Sequence, residues 1–186
     1  PLGAVTGASA QTTAVTLISQ NLSNNTNAPA TVEYTVTPTA GACIGNTFTL
    51  TVTVNPIGQV NSITNQFLCT GTSTNKVTFS TNNIGGTTTY AWTNSNPTIG
   101  LAASGNGDIN SFIASNSTAN PIIATITVTP TFTNGTQSCP GPVEQFTITV
   151  NPSSAVNFSP ANQSICSGDT SNLVTLSSST TGASFN

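Results

Sequence analysis

The chain has 186 residues, and only five of them are charged: Glu33, Lys76, Asp108, Glu144 and Asp169. One lysine cannot create the basic surface that nucleic acids need, and a chain without histidine or paired carboxylates is a poor candidate for acid–base catalysis. No run approaches the ~20 apolar residues of a membrane-spanning helix. We therefore expect no enzyme, no cofactor or metal site, no nucleic-acid partner and no membrane span in this segment.

The predicted elements repeat along the chain. The block from Cys43 to the Asn-Pro pair at 55–56 returns from Cys139 to the Asn-Pro pair at 151–152. The offsets are 139 − 43 = 96 and 151 − 55 = 96, so the period has the size of one immunoglobulin domain.

The two Asn-Pro pairs are predicted to close the units, because proline cannot donate to a sheet ladder and holds the preceding residue extended. Residues 57–152 are then one complete repeat. Residues 1–56 are expected to be the C-terminal part of a preceding repeat, and residues 153–186 the N-terminal part of a following one. We interpret the chain as a window on a long array, with a proteolytic fragment as the alternative.

Within the complete unit, apolar and hydroxylated residues alternate in short runs separated by Gly, Asn and Pro turn signals. An alternation of period two indicates strands with one buried face, and about seven such strands per unit predict a two-sheet sandwich. The residues expected in the core are Val77, Phe79, Trp92, Ile126, Val128, Phe146 and Ile148.

Four cysteines, Cys43, Cys69, Cys139 and Cys166, are candidates for disulfides in an oxidising compartment, with buried free thiols as the alternative. No pair has Cys-x-x-Cys spacing, and no histidine could complete a zinc site. The simplest periodic scheme pairs Cys69 with Cys139 inside the unit. If these two lie at opposite ends of the unit, each would instead pair across a junction with a neighbouring unit.

Two polar features have a functional and an ordinary interpretation. Asp108 in a Gly- and Asn-rich turn could join a calcium site, but one carboxylate predicts weak binding at best, and we favour a plain turn residue. Asn-x-Ser/Thr triplets occur at six positions, as chance predicts for a chain so rich in these residues, so we do not expect glycosylation.

Five motifs stand in order along the chain, and three of them occur twice. Those three are Asn-Gln-x-x-Cys-x-Gly (65–71 and 162–168), Thr-Val-Thr-Pro-Thr (35–39 and 127–131) and the Cys-to-Asn-Pro block (43–56 and 139–152), and the other two are Tyr-Ala-Trp-Thr-Asn (90–94) and Asn-x-Asn-Ala-Pro (25–29). Together they resemble the PKD-like, immunoglobulin-like repeats of giant surface adhesins in Bacteroidetes, including gliding adhesins of the SprB type. The resemblance implies an all-β fold of tandem immunoglobulin-like (PKD-like) β-sandwich repeats of about 96 residues. It also implies export by the type IX secretion system and display at the cell surface.

The sequence thus predicts a structural repeat module of a long extracellular adhesin or filament, which extends and presents adhesive surface outside the cell. Its expected partners are the neighbouring repeats of the same chain, with surface glycans or other cells as further candidates. The alternatives are a glycan- or ligand-binding module on a β-sandwich scaffold and, from the Thr-x-Thr runs, an ice-binding surface.

Overall fold

A computed structural model describes residues 3–186, which form fourteen β-strands in five separate sheets. In chain order the strands are β1 (Val5–Thr6), β2 (Ser23–Asn24), β3 (Ala30–Val36), β4 (Thr39–Ala40), β5 (Cys43–Ile44), β6 (Phe48–Val54), β7 (Gln66–Cys69), β8 (Thr87–Asn94), β9 (Ser104–Asn106), β10 (Ile122–Asn134), β11 (Gln137–Pro140), β12 (Glu144–Asn151), β13 (Asn157–Ser159) and β14 (Thr175–Ser177). The helical part of the described residues is one 3-10 turn, Pro97–Ile99. The predicted all-β class is confirmed. No helix within residues 3–186 is long and apolar enough to cross a membrane.

The largest sheet has the strand order β7-β12-β10-β8-β9, with β11 also paired to β10. Its pairs are antiparallel except for β7, which runs parallel to β12. β10 and β11 form a hairpin that turns at Gly135, whose φ of +60° is a left-handed conformation that glycine adopts without strain. The thirteen-residue β10 is the central strand and pairs with β8 on one side and β12 on the other.

The core lies between this sheet and a second, looser layer formed by residues 73–80 and 109–114. Val77 and Ile109 exchange both of their backbone hydrogen bonds across that layer, at 2.9 and 3.0 Å. All seven residues expected in the core are buried. Trp92 packs its ring against Gly105, where an added Cβ would lie 2.3 Å from the ring, and donates its indole N–H to the carbonyl of Gly107 at 3.1 Å. This two-layer arrangement is an immunoglobulin-like β-sandwich.

The segments on either side reproduce parts of this sandwich. β3 pairs with β6 in the register Ala30↔Val54, and β10 pairs with β12 in the register Ile122↔Val150. The offsets are 122 − 30 = 92 and 150 − 54 = 96, so the two antiparallel pairs are equivalent in the repeat. Residues 153–186 contain a different and shorter antiparallel pair, β13 with β14.

Candidate functional site

A buried asparagine fixes the loop that precedes β10. Asn116 is 6 % exposed, and its Nδ2 donates to the carbonyl oxygens of Val150 at 2.7 Å and Asn120 at 2.8 Å. Its Oδ1 accepts the N–H and the hydroxyl of Thr118, both at 2.8 Å. Both donors and the acceptor of the side-chain amide are therefore satisfied, and the loop is tied to the end of β12. Although Asn116 begins an Asn-Ser-Thr triplet, its side chain is engaged in the fold.

The same arrangement occurs in the segment before it. Asn24 donates to the carbonyls of Val54 at 2.7 Å and Ala28 at 2.8 Å, and it accepts the N–H of Thr26 at 2.9 Å and its hydroxyl at 2.8 Å. The offsets are 116 − 24 = 92 and 150 − 54 = 96, as for the strands. One local hydrogen-bond network therefore closes the same end of both segments.

A glutamine serves as a second repeated support. Gln66 donates from Nε2 to the carbonyl of Asn75 at 3.1 Å and accepts the N–H of Asn75 at 2.9 Å. Gln163 and Asn172 form the same pair of bonds at 2.9 and 2.7 Å. Since 163 − 66 = 97 and 172 − 75 = 97, this network also repeats, and each time it closes a loop that contains a cysteine.

The chain between β6 and β7 is held by the sandwich that follows it. Pro56 and Gly58 are buried, and the N–H of Gly58 donates to the carbonyl of Cys139 at 3.0 Å. The side chain of Asn83 donates to the carbonyl of Ile57 at 3.1 Å. This linker is therefore packed against the parts of the sandwich that contain Asn83 and Cys139 rather than extended into solvent.

The outer face of the large sheet is a hydroxylated surface. It carries threonines from three adjacent strands, several of them directly opposite one another: Thr87, Thr89, Thr93, Thr125, Thr127, Thr129, Thr131, Thr133, Thr147 and Thr149. A shallow depression at its edge is lined by residues 88–91, Asn106, Gly107 and Thr131. Such a surface offers neutral hydrogen-bond donors and acceptors on a rigid support.

Asp108 is engaged by neighbours on both of its oxygens. Lys76 Nζ lies 3.1 Å from Oδ2, and the N–H of Phe79 donates to Oδ1 at 3.1 Å. The hydrogen bond from Lys76 is the main reason that the pKa of Asp108 lies below its ordinary value, with the backbone bond from Phe79 second. Through the bond from Phe79, the carboxylate of Asp108 helps to hold the second layer in place. Its role is therefore structural. Nearby, partial burial raises the pKa of Tyr90.

No disulfide joins the four cysteines in residues 3–186, and the pairing of Cys69 with Cys139 stays a prediction that the strand register does not favour. Cys69 pairs with Asn151, the last residue of β12, which follows the Val150–Ile122 pair. Cys139 instead pairs with Phe132, near the other end of β10. Since Ile122 and Phe132 are ten residues apart on β10, the two cysteines lie roughly 30 Å or more apart at about 3.3 Å per residue. Cα atoms more than about 7 Å apart cannot be bridged. Pairing across a junction stays a prediction.

The asparagines that tie these loops to the strand ends, Asn24 and Asn116, are not among the residues that the patterns discussed above single out. Asn24 stands directly before the motif at 25–29. The signal that could have identified both asparagines is Asn-x-Thr-x-x-Pro, which occurs at 24–29 and again at 116–121.

The fold and these repeated networks define a protein with immunoglobulin-like repeats. The comparison with protein families agrees, because residues 2–58 match the family model of the PKD-like domain. No curated protein and no solved structure matches the chain. The match supports a PKD-like repeat here, and PKD-like domains are typically extracellular and are generally structural modules without catalytic activity.

Proposed function

We propose that the chain is a structural module of a long cell-surface adhesin or filament, and that its repeats extend and present adhesive surface outside the cell. The observation that carries this proposal is the recurrence of the Asn24 network at Asn116 and of the Gln66 network at Gln163. Each network occurs twice at the repeat period and holds the backbone of its own segment, as expected for scaffold elements of a repeat protein.

The repeat boundaries belong to this proposal. β6 ends at Val54 and β12 at Asn151, so each Asn-Pro pair falls where a strand ends. This supports a division into residues 1–56, 57–152 and 153–186. Export by the type IX secretion system and a relation to gliding adhesins rest on the resemblance of the motifs alone.

The cysteines fit an extracellular array if they bridge neighbouring units. Cys139 lies at the linker, where its carbonyl accepts the N–H of Gly58 at 3.0 Å. Cys69 lies at the other end, next to Thr70, whose hydroxyl oxygen accepts the N–H of Asn116 at 2.9 Å. Each cysteine of the unit is thus placed at a different junction, and a partner would come from the adjoining unit.

The test is to locate the protein on the cells that produce it. An antibody raised against residues 57–152 should label intact cells, and deletion of whole repeats should bring the label closer to the cell envelope by a constant step per repeat. Labelling that requires permeabilised cells, or a distance independent of repeat number, would contradict the proposal. Deletion of an equal length outside the repeats is the control.

The second candidate is a glycan-binding module, favoured by the depression lined by Thr89, Asn106 and Thr131 on the hydroxylated face. A glycan array would test it. Binding that is lost in Asn106→Ala but kept in Asn110→Ala, an exposed loop residue of the same type, would support this function. Absence of binding to every glycan would remove the candidate.

A further inference from the structure

Two loops of the chain accept a backbone hydrogen bond from the segment that follows them. The carbonyl of Asn27 accepts the N–H of Ile84 at 2.8 Å, and the carbonyl of Ala119 accepts the N–H of Thr181 at 3.1 Å. The offsets are 119 − 27 = 92 and 181 − 84 = 97, the values found for the strands and for the glutamine network. The same contact is therefore made twice, at two successive junctions.

The asparagine network of its own segment holds each accepting loop in place, independently of the contact with the next segment. In the first loop, Thr26 donates its hydroxyl to the carbonyl of Ala28 at 2.9 Å and to the side chain of Asn24 at 2.8 Å. In the second loop, Thr118 makes the corresponding bonds to Asn120 and Asn116, both at 2.8 Å. Since the carbonyl between them is fixed by these bonds, docking costs little conformational entropy.

In both donating segments a glycine follows the donor residue, and the φ angles of Gly85 and Gly182 are +77° and +78°. An added Cβ at Gly85 would lie 2.9 Å from Cδ of Pro29, so the two segments approach closely there. Glycine is the residue that permits both the left-handed turn and this approach.

Side chains reinforce each contact with different chemistry. At the first junction the Nε2 of Gln59 donates to the Oδ1 of Asn27 at 2.8 Å. At the second, the hydroxyl of Thr181 donates to the Oδ1 of Asn120 at 2.6 Å. The backbone bond is common to both junctions while the side-chain bonds differ, which indicates that the backbone contact is the shared element.

We propose that this contact is a clasp between units, which fixes each unit at one angle to the next and makes the array a stiff rod with a constant angle per repeat. The clasp consists of the loop 25–29 or 117–121 and the turn 83–85 or 180–182. The inference rests on the proposed repeat organisation, and it adds that the partner of each loop is the front turn of the following unit.

Hydrogen exchange of the whole chain tests the clasp directly. The amides of Ile84 and Thr181 should exchange at least roughly tenfold more slowly than other exposed turn amides, because both are bonded across a junction. NMR relaxation should give the same rotational correlation time for residues 30–54 and 66–151. Unprotected amides at both positions, or independent tumbling of the two segments, would overturn the proposal.

A matched pair of variants isolates the backbone bond. Ile84→Pro removes the N–H that donates to Asn27, whereas Ile84→Ala keeps the N–H and removes only an exposed side chain. We expect Ile84→Pro to shorten the correlation time of residues 30–54 and Ile84→Ala to leave it unchanged. Equal behaviour of the two variants would contradict the clasp. The fluorescence of Trp92 reports whether the sandwich is still folded, and if Ile84→Pro unfolds it, the exchange measurement on the unaltered chain decides.

The test is separable from that of the proposed function. If the exchange data show the clasp and the protein is not found on cells, the junction geometry stands and the cellular role fails. If the protein extends from cells and the segments tumble independently, the array is a flexible chain and the clasp fails.

Discussion

The strand pairs β3–β6 and β10–β12 have equivalent sequences and equivalent registers but very different surroundings. Phe146 on β12 is 2 % exposed, whereas Leu50, which occupies the same place on β6, is 47 % exposed. The difference is that residues 73–80 and 109–114 cover the apolar face of β10 and β12. Strand pairing is therefore encoded within each pair, and burial depends on the second layer.

The loops held by Gln66 and Gln163 show the same dependence of burial on the presence of both layers. Gln66 and Gln163 hold their loops with the same two hydrogen bonds. Val77, downstream of the first, is 6 % exposed, and its equivalent Val174 is 43 % exposed. Local hydrogen bonds form with or without the opposing sheet, while the hydrophobic contribution to stability comes only when both layers are present.

The largest expected effect is at Trp92, because it is a large aromatic side chain buried between the two layers. Trp92→Ala should lower the free energy of unfolding by about 3–5 kcal/mol, as truncations of core aromatics do. Phe48→Ala, on the partly exposed β6, should change the unfolding of the sandwich little. Chemical denaturation followed by circular dichroism measures both free energies of unfolding. Similar losses in the two variants would show that the difference in burial between the two positions does not affect stability.

A smaller loss is expected at the asparagine network. Asn116→Ala leaves the carbonyls of Val150 and Asn120 without their donor, and a buried unsatisfied group costs about 1–3 kcal/mol. Asn24→Ala removes the same bonds from a part-buried site and should cost less, since water can replace the donor there. Asn110→Ala, at an exposed loop position, is the control for both. If Asn24→Ala proves the more damaging, solvent access is not what distinguishes the two sites.

The sequence was sufficient to predict what depends on local periodicity. Alternation placed Ile126, Val128 and Ile148 on one face, and the Asn-Pro pairs marked where β6 and β12 end. The sequence did not reveal contacts between residues far apart in the chain. Two examples are the parallel pairing of β7 with β12 and the junction bonds of Asn27 and Ala119. In both cases no local sequence pattern predicts that the segments lie next to each other.

A pH-dependent effect is expected at the ion pair of Asp108 and Lys76. The pKa of Asp108 is lower in the folded chain than its ordinary value of 3.8, so the folded state binds fewer protons than the unfolded state near that pH. This contribution to stability is present above pH 3.8 and is lost as the pH falls through the lower folded pKa.

The residue at the position equivalent to Lys76 provides the matched variant, because Leu173 stands there in the next unit. Lys76→Leu removes the main cause of the low pKa and leaves the bond from Phe79. The pKa of Asp108 should rise part of the way toward its ordinary value, as followed by the carboxyl chemical shift in an NMR titration. An unchanged pKa would mean that Lys76 does not hold the carboxylate in solution.

The smallest expected effect concerns the cysteines, and it separates the ends of the unit from its core. A bridge between Cys69 and Cys139 would close a loop of 139 − 69 = 70 residues and stabilise the fold by about 4 kcal/mol in the chain-entropy model. Because these residues lie at opposite ends of the sheet, we expect that bridge to be absent after air oxidation. A reducing agent should then leave the unfolding midpoint of residues 57–152 unchanged. Peptide mapping without reduction checks the same point, and a Cys69–Cys139 peptide from folded material would mean that the register of β7 or β11 is not the one described.

In a longer array the expectation differs, since a cysteine at one end of a unit faces the adjoining unit. Reduction there should loosen the junctions and leave the midpoint of each sandwich where it was.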